Sequence, residues 1–180
     1  MTFRSTLAAL LVGLLACASG TVHAGKFAHL GWFTDMRHTE EHSYGTTLEL
    51  LRDGDAIFGT IDLAYGLAGD TPTGLLQDVE YQPETGRLAF NAKLTTGLHY
   101  CSRHDNVPSR EWLQFEGKLS KKAVSGTLRE FDGLHPEQAP QIRPLRLLRT
   151  EALGSGEGVQ SREQWDAQVR EGIKRNGPEW

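Results

Sequence analysis

Cysteine is scarce, with two in 180 residues. One pair could close a single loop, so a disulfide framework is excluded, and a chain of this length can build a core without one. A cationic excess is missing as well. Lys and Arg number 19 against 23 Asp and Glu, for a net charge of −4. No chain-wide positive field exists to hold a phosphate backbone or an anionic surface, and nucleic acid is not expected as a partner. Beyond residue 24 no apolar run approaches the 18 or so residues that a transmembrane helix needs, so none is expected. The G-x-S-x-G elbow, the H-E-x-x-H zinc motif and the Gly-Lys-Ser/Thr ending of a phosphate loop are all absent. What is present is an ordinary globular composition, 38% apolar and 23% charged, which excludes disorder and coiled coil.

Residues 1–24 read as an address rather than as structure. Arg4 gives a short positive start, residues 7–16 are an apolar run, and Val22-His23-Ala24 suits cleavage before Gly25. The expectation is a bacterial-type signal peptide and a periplasmic or secreted protein. Leu14-Leu15-Ala16-Cys17 offers an alternative, a lipoprotein motif that would acylate Cys17 and anchor the chain to a membrane. Removal of residues 1–24 takes away Arg4 and no acid, which moves the net charge from −4 to −5. Either route leaves Cys101 without an intrachain partner. Its simplest reading is a small buried hydrophobe.

The dominant period in the rest of the chain is two. Ile57, Gly59, Ile61, Leu63 and Tyr65 share one face, with Thr60 and Asp62 on the other. Leu88, Phe90, Ala92 and Leu94 repeat the pattern, as do Leu113, Phe115, Gly117 and Leu119, then Val124, Gly126 and Leu128. One buried face and one wet face mark antiparallel sheet. About eight strands are expected, near residues 28–34, 44–51, 56–65, 75–82, 87–95, 111–119, 123–131 and 143–150. Asp53-Gly54-Asp55 suits a tight hairpin with Gly54 at positive φ, and Pro83-Glu84-Thr85-Gly86 a type I turn followed by a left-handed glycine. Gly59, Gly117 and Gly126 fall on inward faces, where they suit a coiled, closing sheet or make room for neighbouring rings. Arg143, Arg146 and Arg149 are read as the wet face of the last strand, with the binding of an anionic partner as the alternative.

The connections alternate in length. Residues 35–43, 66–74, 96–110 and 132–142 are long, whereas 52–55, 83–86 and 120–122 are short. In an up-and-down meander all the long loops gather at one mouth. The fold expected for residues 25–150 is therefore all-β, an eight-stranded antiparallel up-and-down barrel, with a two-sheet sandwich as the alternative. In architecture this resembles small-ligand barrels of the lipocalin and streptavidin kind. Residues 151–160 have a glycine-rich linker composition, and residues 161–176 an amphipathic C-terminal helix. That helix opens on the capping box Ser161-Arg162-Glu163-Gln164, with Trp165, Val169 and Ile173 on one stripe. The stripe is expected to pack on the barrel or cover an open end; its alternative is a detachable helix for a partner.

The functional expectation is a non-enzymatic binding protein with a small, mostly apolar ligand or a partner at the long-loop end. Trp32, Tyr65, Phe90, Phe115 and Leu128 are the expected lining. His38, His42, His99, Cys101 and His104 fall in or beside the long connections and form a candidate zinc or copper site, which is the first alternative function. A protein-interaction or inhibitor module is the second. An enzyme with a mouth histidine as base is a further reading. His38-Thr39-Glu40-Glu41-His42 matches the inverted zinc-protease spacing, but that motif needs a helix and this segment lies between strands, so the match is read as chance.

Overall fold

The structure, a computed structural model, describes residues 26–67, 71–95, 98–101, 104–153 and 158–176, with the side chains of 67, 98–101, 104–108 and 174–176 outside that description. The strands are β1 (Ala28–Thr34), β2 (Arg37–His38), β3 (His42–Asp53), β4 (Ala56–Leu67), β5 (Thr73–Gln82) and β6 (Arg87–Leu94), then β7 (Leu98–Cys101), β8 (His104–Pro108), β9 (Glu111–Leu119), β10 (Ala123–Asp132) and β11 (Gln141–Thr150). One helix, α1 (Arg162–Asn176), follows.

Eight strands run antiparallel in the order β1-β11-β10-β9-β6-β5-β4-β3, and β1 pairs with β3 as well as with β11. That double pairing closes the sheet into a barrel and excludes the two-sheet sandwich. Each barrel strand matches an expected one to within two residues at either end. Three short strands were not expected. β2 extends the free edge of β3 beyond the closed barrel, and β7 and β8 form a separate hairpin inside the connection between β6 and β9. Closure gathers the long connections at one end and the turns at 54–55, 83–86 and 120–122 at the other.

The turns have their expected chemistry. Gly54 and Gly86 have φ of 63° and 71°, and the Gly86 N–H donates to the Gln82 carbonyl at 2.8 Å. Two β-bulges interrupt the alternation. One lies between His29 and Gly31 in β1, the other between Gln77 and Glu80 in β5, where Asp78 takes φ 49° and accepts from Asn91 Nδ2 at 3.1 Å. A bulge places an extra residue against one partner residue and bends the strand, which helps a sheet curl shut.

The barrel interior is packed. Phe33, Leu48, Leu50, Ile61, Leu63, Leu88, Phe90, Leu113, Phe115, Leu128 and Leu147 belong to one buried cluster. Gly117 and Gly126 face each other across β9 and β10. A Cβ on Gly117 would lie 2.6 Å from Phe115 Cζ and 2.7 Å from Gly126 Cα, so both expected reasons for inward glycine, close strand approach and room for a ring, hold at this pair.

A second, smaller cluster lies on the outer wall, where α1 packs against β3 and β4. Trp165 is buried with Leu51 and Phe58, flanked by Phe27, Leu75, Val159 and Val169. The Trp165 and Phe58 rings meet edge to face at 5.0 Å, and the Arg162 guanidinium lies 4.8 Å from the Phe58 ring centroid. The cap forms by half of the expected box: Gln164 N–H donates to Ser161 Oγ at 3.3 Å, and Gln164 Oε1 accepts from the N–H of Gln160, one residue before the cap, at 2.9 Å. The stripe thus covers the barrel wall and not an open end.

Polar groups lie beneath and beside this contact. Glu49 Oε2 accepts from Trp165 Nε1 at 3.0 Å, and Glu49 Oε1 lies 3.3 Å from His29 Nε2. Asp62 accepts from Thr73 Oγ1 at 2.6 Å. Burial pushes the Asp62 carboxyl up to about 6; the Thr73 hydrogen bond opposes the rise and the Glu49 carboxylate adds to it.

Candidate functional site

The long-loop end holds the candidate site. The inward stripes of four strands finish there on polar groups instead of apolar ones. The stripe Val124, Gly126, Leu128 of β10 continues to Glu130, and the stripe Leu147, Leu145 of β11 ends on Arg143. β3 contributes the fully buried Thr46, and β4 contributes Tyr65. Arg143 Nε donates to Glu130 Oε1 at 2.6 Å, and Arg143 Nη2 donates to Thr46 Oγ1 at 3.1 Å. The Tyr65 hydroxyl donates to the other oxygen, Glu130 Oε2, in a short hydrogen bond. These contacts join β3, β4, β10 and β11 across the end of the barrel and seal the core beneath them.

The electrostatics of this layer follow from its position. The Glu130 side chain is 12% exposed and the Arg143 side chain 32%. Burial raises the pKa of the Tyr65 hydroxyl, and the adjacent Glu130 carboxylate raises it further, so the phenol stays protonated and acts as a donor. Burial weighs against the Arg143 charge, but the hydrogen bond and charge of Glu130 outweigh it and the guanidinium pKa is raised. A carboxylate held by two partners in this way is a fixed acceptor with known direction.

Above the layer is a cavity of about 400 Å³, within the usual range of small-ligand sites. Tyr65 and Glu130 contribute to its base; Arg110, Glu111, Asp132, Gln138 and Gln141 contribute to its walls. The loop at 133–140 is held by its own hydrogen bonds. Leu134 N–H donates to Asp132 Oδ1 at 2.8 Å, Gly133 N–H to the Arg110 carbonyl at 2.6 Å, and Gln138 N–H to the His135 carbonyl at 3.0 Å. Beside the cavity, Tyr44 and Tyr65 are cross-strand partners, 47% and 51% exposed, and the His42 ring stacks on Tyr44 at 5.9 Å.

The expected ligand-lining residues part company here. Tyr65 alone of the five lines this cavity. Phe90 and Phe115 stack on each other at 5.0 Å within the packed core, and Leu128 is fully buried there. Trp32 lies opposite Glu49 on the outer face, 5.9 Å from the His29 ring, and its buried Nε1 has no hydrogen-bond partner among the described residues.

The expected metal residues are also separated. His38 pairs with Ser43 and shares Nδ1 with its hydroxyl at 2.9 Å, whereas His42 stacks on Tyr44, so the two rings lie on opposite faces of the ladder. The backbone register sets Cys101 opposite His104 and His99 opposite Val107, and the side chains of His99, Cys101 and His104 lie outside the described residues. Among the described residues, no group of three His, Cys, Asp or Glu side chains is placed to hold a metal.

Glu130, Gln138 and Gln141 were not singled out from the sequence, and Arg143 was read only as part of a wet face. The signal for the first two was present, since both continue apolar stripes of period two. The three arginines of β11 do not share one wet face: Arg143 and Arg149 have the parity of the buried Leu145 and Leu147, and only Arg146 has that of the exposed Leu148. No protein-family model matches the chain, and no curated protein or solved structure is significantly similar to it.

Proposed function

We propose that the protein is a non-enzymatic binding module, exported from the cytoplasm, that holds one small ligand at the long-loop mouth of its barrel. The observation that carries this reading is the cavity of about 400 Å³ set on the Tyr65–Glu130–Arg143 layer. Its chemistry defines the ligand class. The carboxylates of Glu111 and Asp132 and the amide oxygens of Gln138 and Gln141 are acceptors beside the Arg110 guanidinium, over a base whose Glu130 oxygens are already held by Arg143 and Tyr65, so a small hydroxylated or amino-bearing molecule suits the site better than an apolar one. The packed interior supports binding at the mouth in place of binding inside the barrel. Export rests on residues 1–24, with cleavage after Ala24 or acylation of Cys17.

The test is the intact mass of the protein purified from an exporting host, first native and then denatured. The expected native result is an organic adduct that resists chelator and is lost from Glu130→Gln and Tyr65→Ala. The expected denatured mass begins at Gly25. An adduct removed by chelator would favour a metal on the loop histidines and Cys101 instead. Absence of any adduct, together with no thermal stabilisation by a panel of amino and hydroxyl compounds, would overturn the ligand reading in favour of a protein partner.

A further inference from the structure

We propose that the opposite, short-turn mouth is a second binding site, and that it takes a small amphiphilic anion: a carboxylate or comparable head on a short hydrocarbon tail. The two ends of the barrel are built alike and charged differently. At the long-loop end the inward arginine, Arg143, is answered by Glu130 at 2.6 Å. At the other end the inward stripes of β3 and β11 also finish on arginine. Arg52 follows Leu48 and Leu50 and pairs with Ile57, and Arg149 follows Leu145 and Leu147 and pairs with Phe33. Neither of these two makes an ion pair with any described residue.

Arg52 and Arg149 line a cavity of about 450 Å³ with Lys121 from the turn between β9 and β10. No acid lines it; Asp53, Asp55 and Glu84, in the neighbouring turns, lie outside its lining. Beneath the three cations the lining is apolar, from Leu30, Phe33 and Leu119, which belong to or pack on the barrel core. Arg149 is also laid down in a defined place. A Cβ on Gly31 would come within 3.1 Å of Arg149 Cζ, so the bare backbone of Gly31 provides the bed for this guanidinium.

Cations around an apolar base select for two properties together. The head must be an anion, since a guanidinium binds a carboxylate through charge-assisted hydrogen bonds. The tail should be hydrocarbon, since Leu30, Phe33, Ile57 and Leu119 offer apolar surface to cover, with Thr85 and Ser120 at the turns. A free inorganic anion would leave the base wet, and a neutral lipid would leave the cations unanswered. The apolar residues 7–16 of the chain itself are a poor occupant, because the first 24 residues bring Arg4 and no acid.

Octanoate is the probe, titrated calorimetrically into the protein from an exporting host, with octanol and acetate as single-property controls. Saturable one-to-one binding of octanoate is expected, with octanol at least tenfold weaker and acetate silent. Arg149→Gln and Arg52→Gln should each raise the octanoate Kd about tenfold, and Arg146→Gln, on the outer face of the same strand, should leave it within twofold. Amide shifts induced by octanoate should fall at 30–33, 52–57, 119–121 and 149. The proposal is overturned if octanoate does not saturate, if octanol binds as tightly, if the three arginine variants behave alike, or if the shifts fall at the long-loop mouth. Binding to phosphatidylglycerol vesicles without binding of octanoate would overturn it too, in favour of a membrane surface.

Discussion

Replacing Asp62 by Asn should make the protein more stable at neutral pH. Asp62 sits on the outer face of β4 opposite Thr47, with the Glu49 carboxylate close by on β3. Burial lifts its pKa from 3.8 to about 6. An acid whose pKa is higher folded than unfolded keeps its proton longer in the folded state. Between those two values the native state binds more protons than the unfolded one, so stability falls as pH rises through the window. Well below the unfolded value of 3.8 both states are protonated and there is no penalty. Above the folded pKa the penalty is complete, and a shift of this size is worth about 3 kcal/mol at roughly 1.4 kcal/mol per unit. Asn cannot ionise, and its Oδ1 can still accept from Thr73. Urea unfolding followed by tryptophan fluorescence from pH 4 to 8 measures the difference between wild type and Asp62→Asn. The expected difference is only about 0.5 kcal/mol at pH 4 and grows to about 2–3 kcal/mol in favour of Asn at pH 7.5. A difference independent of pH, or an Asn variant that is the weaker one at pH 7.5, would refute the reasoning.

The barrel-end layer and the helix contact give further tests. Glu130→Gln leaves Arg143 charged with a weaker partner and should cost about 2 kcal/mol in urea unfolding at pH 7, whereas Tyr65→Phe, which removes one hydrogen bond from a half-exposed ring, should cost about 1 kcal/mol or less. Trp165→Ala removes the anchor of α1 and should cost about 3–5 kcal/mol for that contact. Its signature is local: amide hydrogen exchange should lose protection across Arg162–Asn176 while the barrel strands keep theirs. Gly126→Val would bring a side chain against Glu116 O, which already lies 2.3 Å from an ideal Cβ, and should prevent closure of β9 on β10, read as loss of cooperative unfolding.

Much of the fold was legible because it rests on local rules. Alternation located every barrel strand, and Gly54 and Gly86 marked their turns through the positive φ that a glycine tolerates. Loop lengths located the two ends. What escaped depends on contacts distant in sequence. The bulges at His29/Gly31 and Gln77/Glu80 insert a residue without any change of composition, so period-two counting passes over them. Glu49, Thr60 and Asp62 look like wet-face residues on their strands. Glu49 and Thr60 are buried and Asp62 partly so; the chain returns to that wall at Glu49, where the Glu49–Trp165 hydrogen bond spans 116 residues. Arg143 was misread and Glu130 passed over for the converse reason: charge ordinarily signals solvent, and here two opposite charges on inward stripes meet and satisfy each other. Whether the barrel is filled was also beyond alternation. The answer lies in the Phe115 ring, which reaches the space left by Gly117 and stacks on Phe90.

A filled barrel separates stability from recognition, and the two ends show how. The core cluster is closed at the long-loop end by a layer whose charges are mutually satisfied, so substitutions there act on stability and binding together. At the short-turn end Arg52 and Arg149 answer no partner among the described residues, and exposed charges of that kind usually change stability by no more than about 0.5 kcal/mol when removed. Arg143→Gln and Arg149→Gln are therefore the same chemical change on the same face of the same strand with opposite expected behaviour. The first should destabilise the fold by about 2 kcal/mol, through the buried Glu130 it abandons. The second should leave the fold as it was and be felt only by an anion. If both variants lose stability equally, Arg149 is a structural residue with an internal partner of its own, and the short-turn mouth is an ordinary end of the barrel.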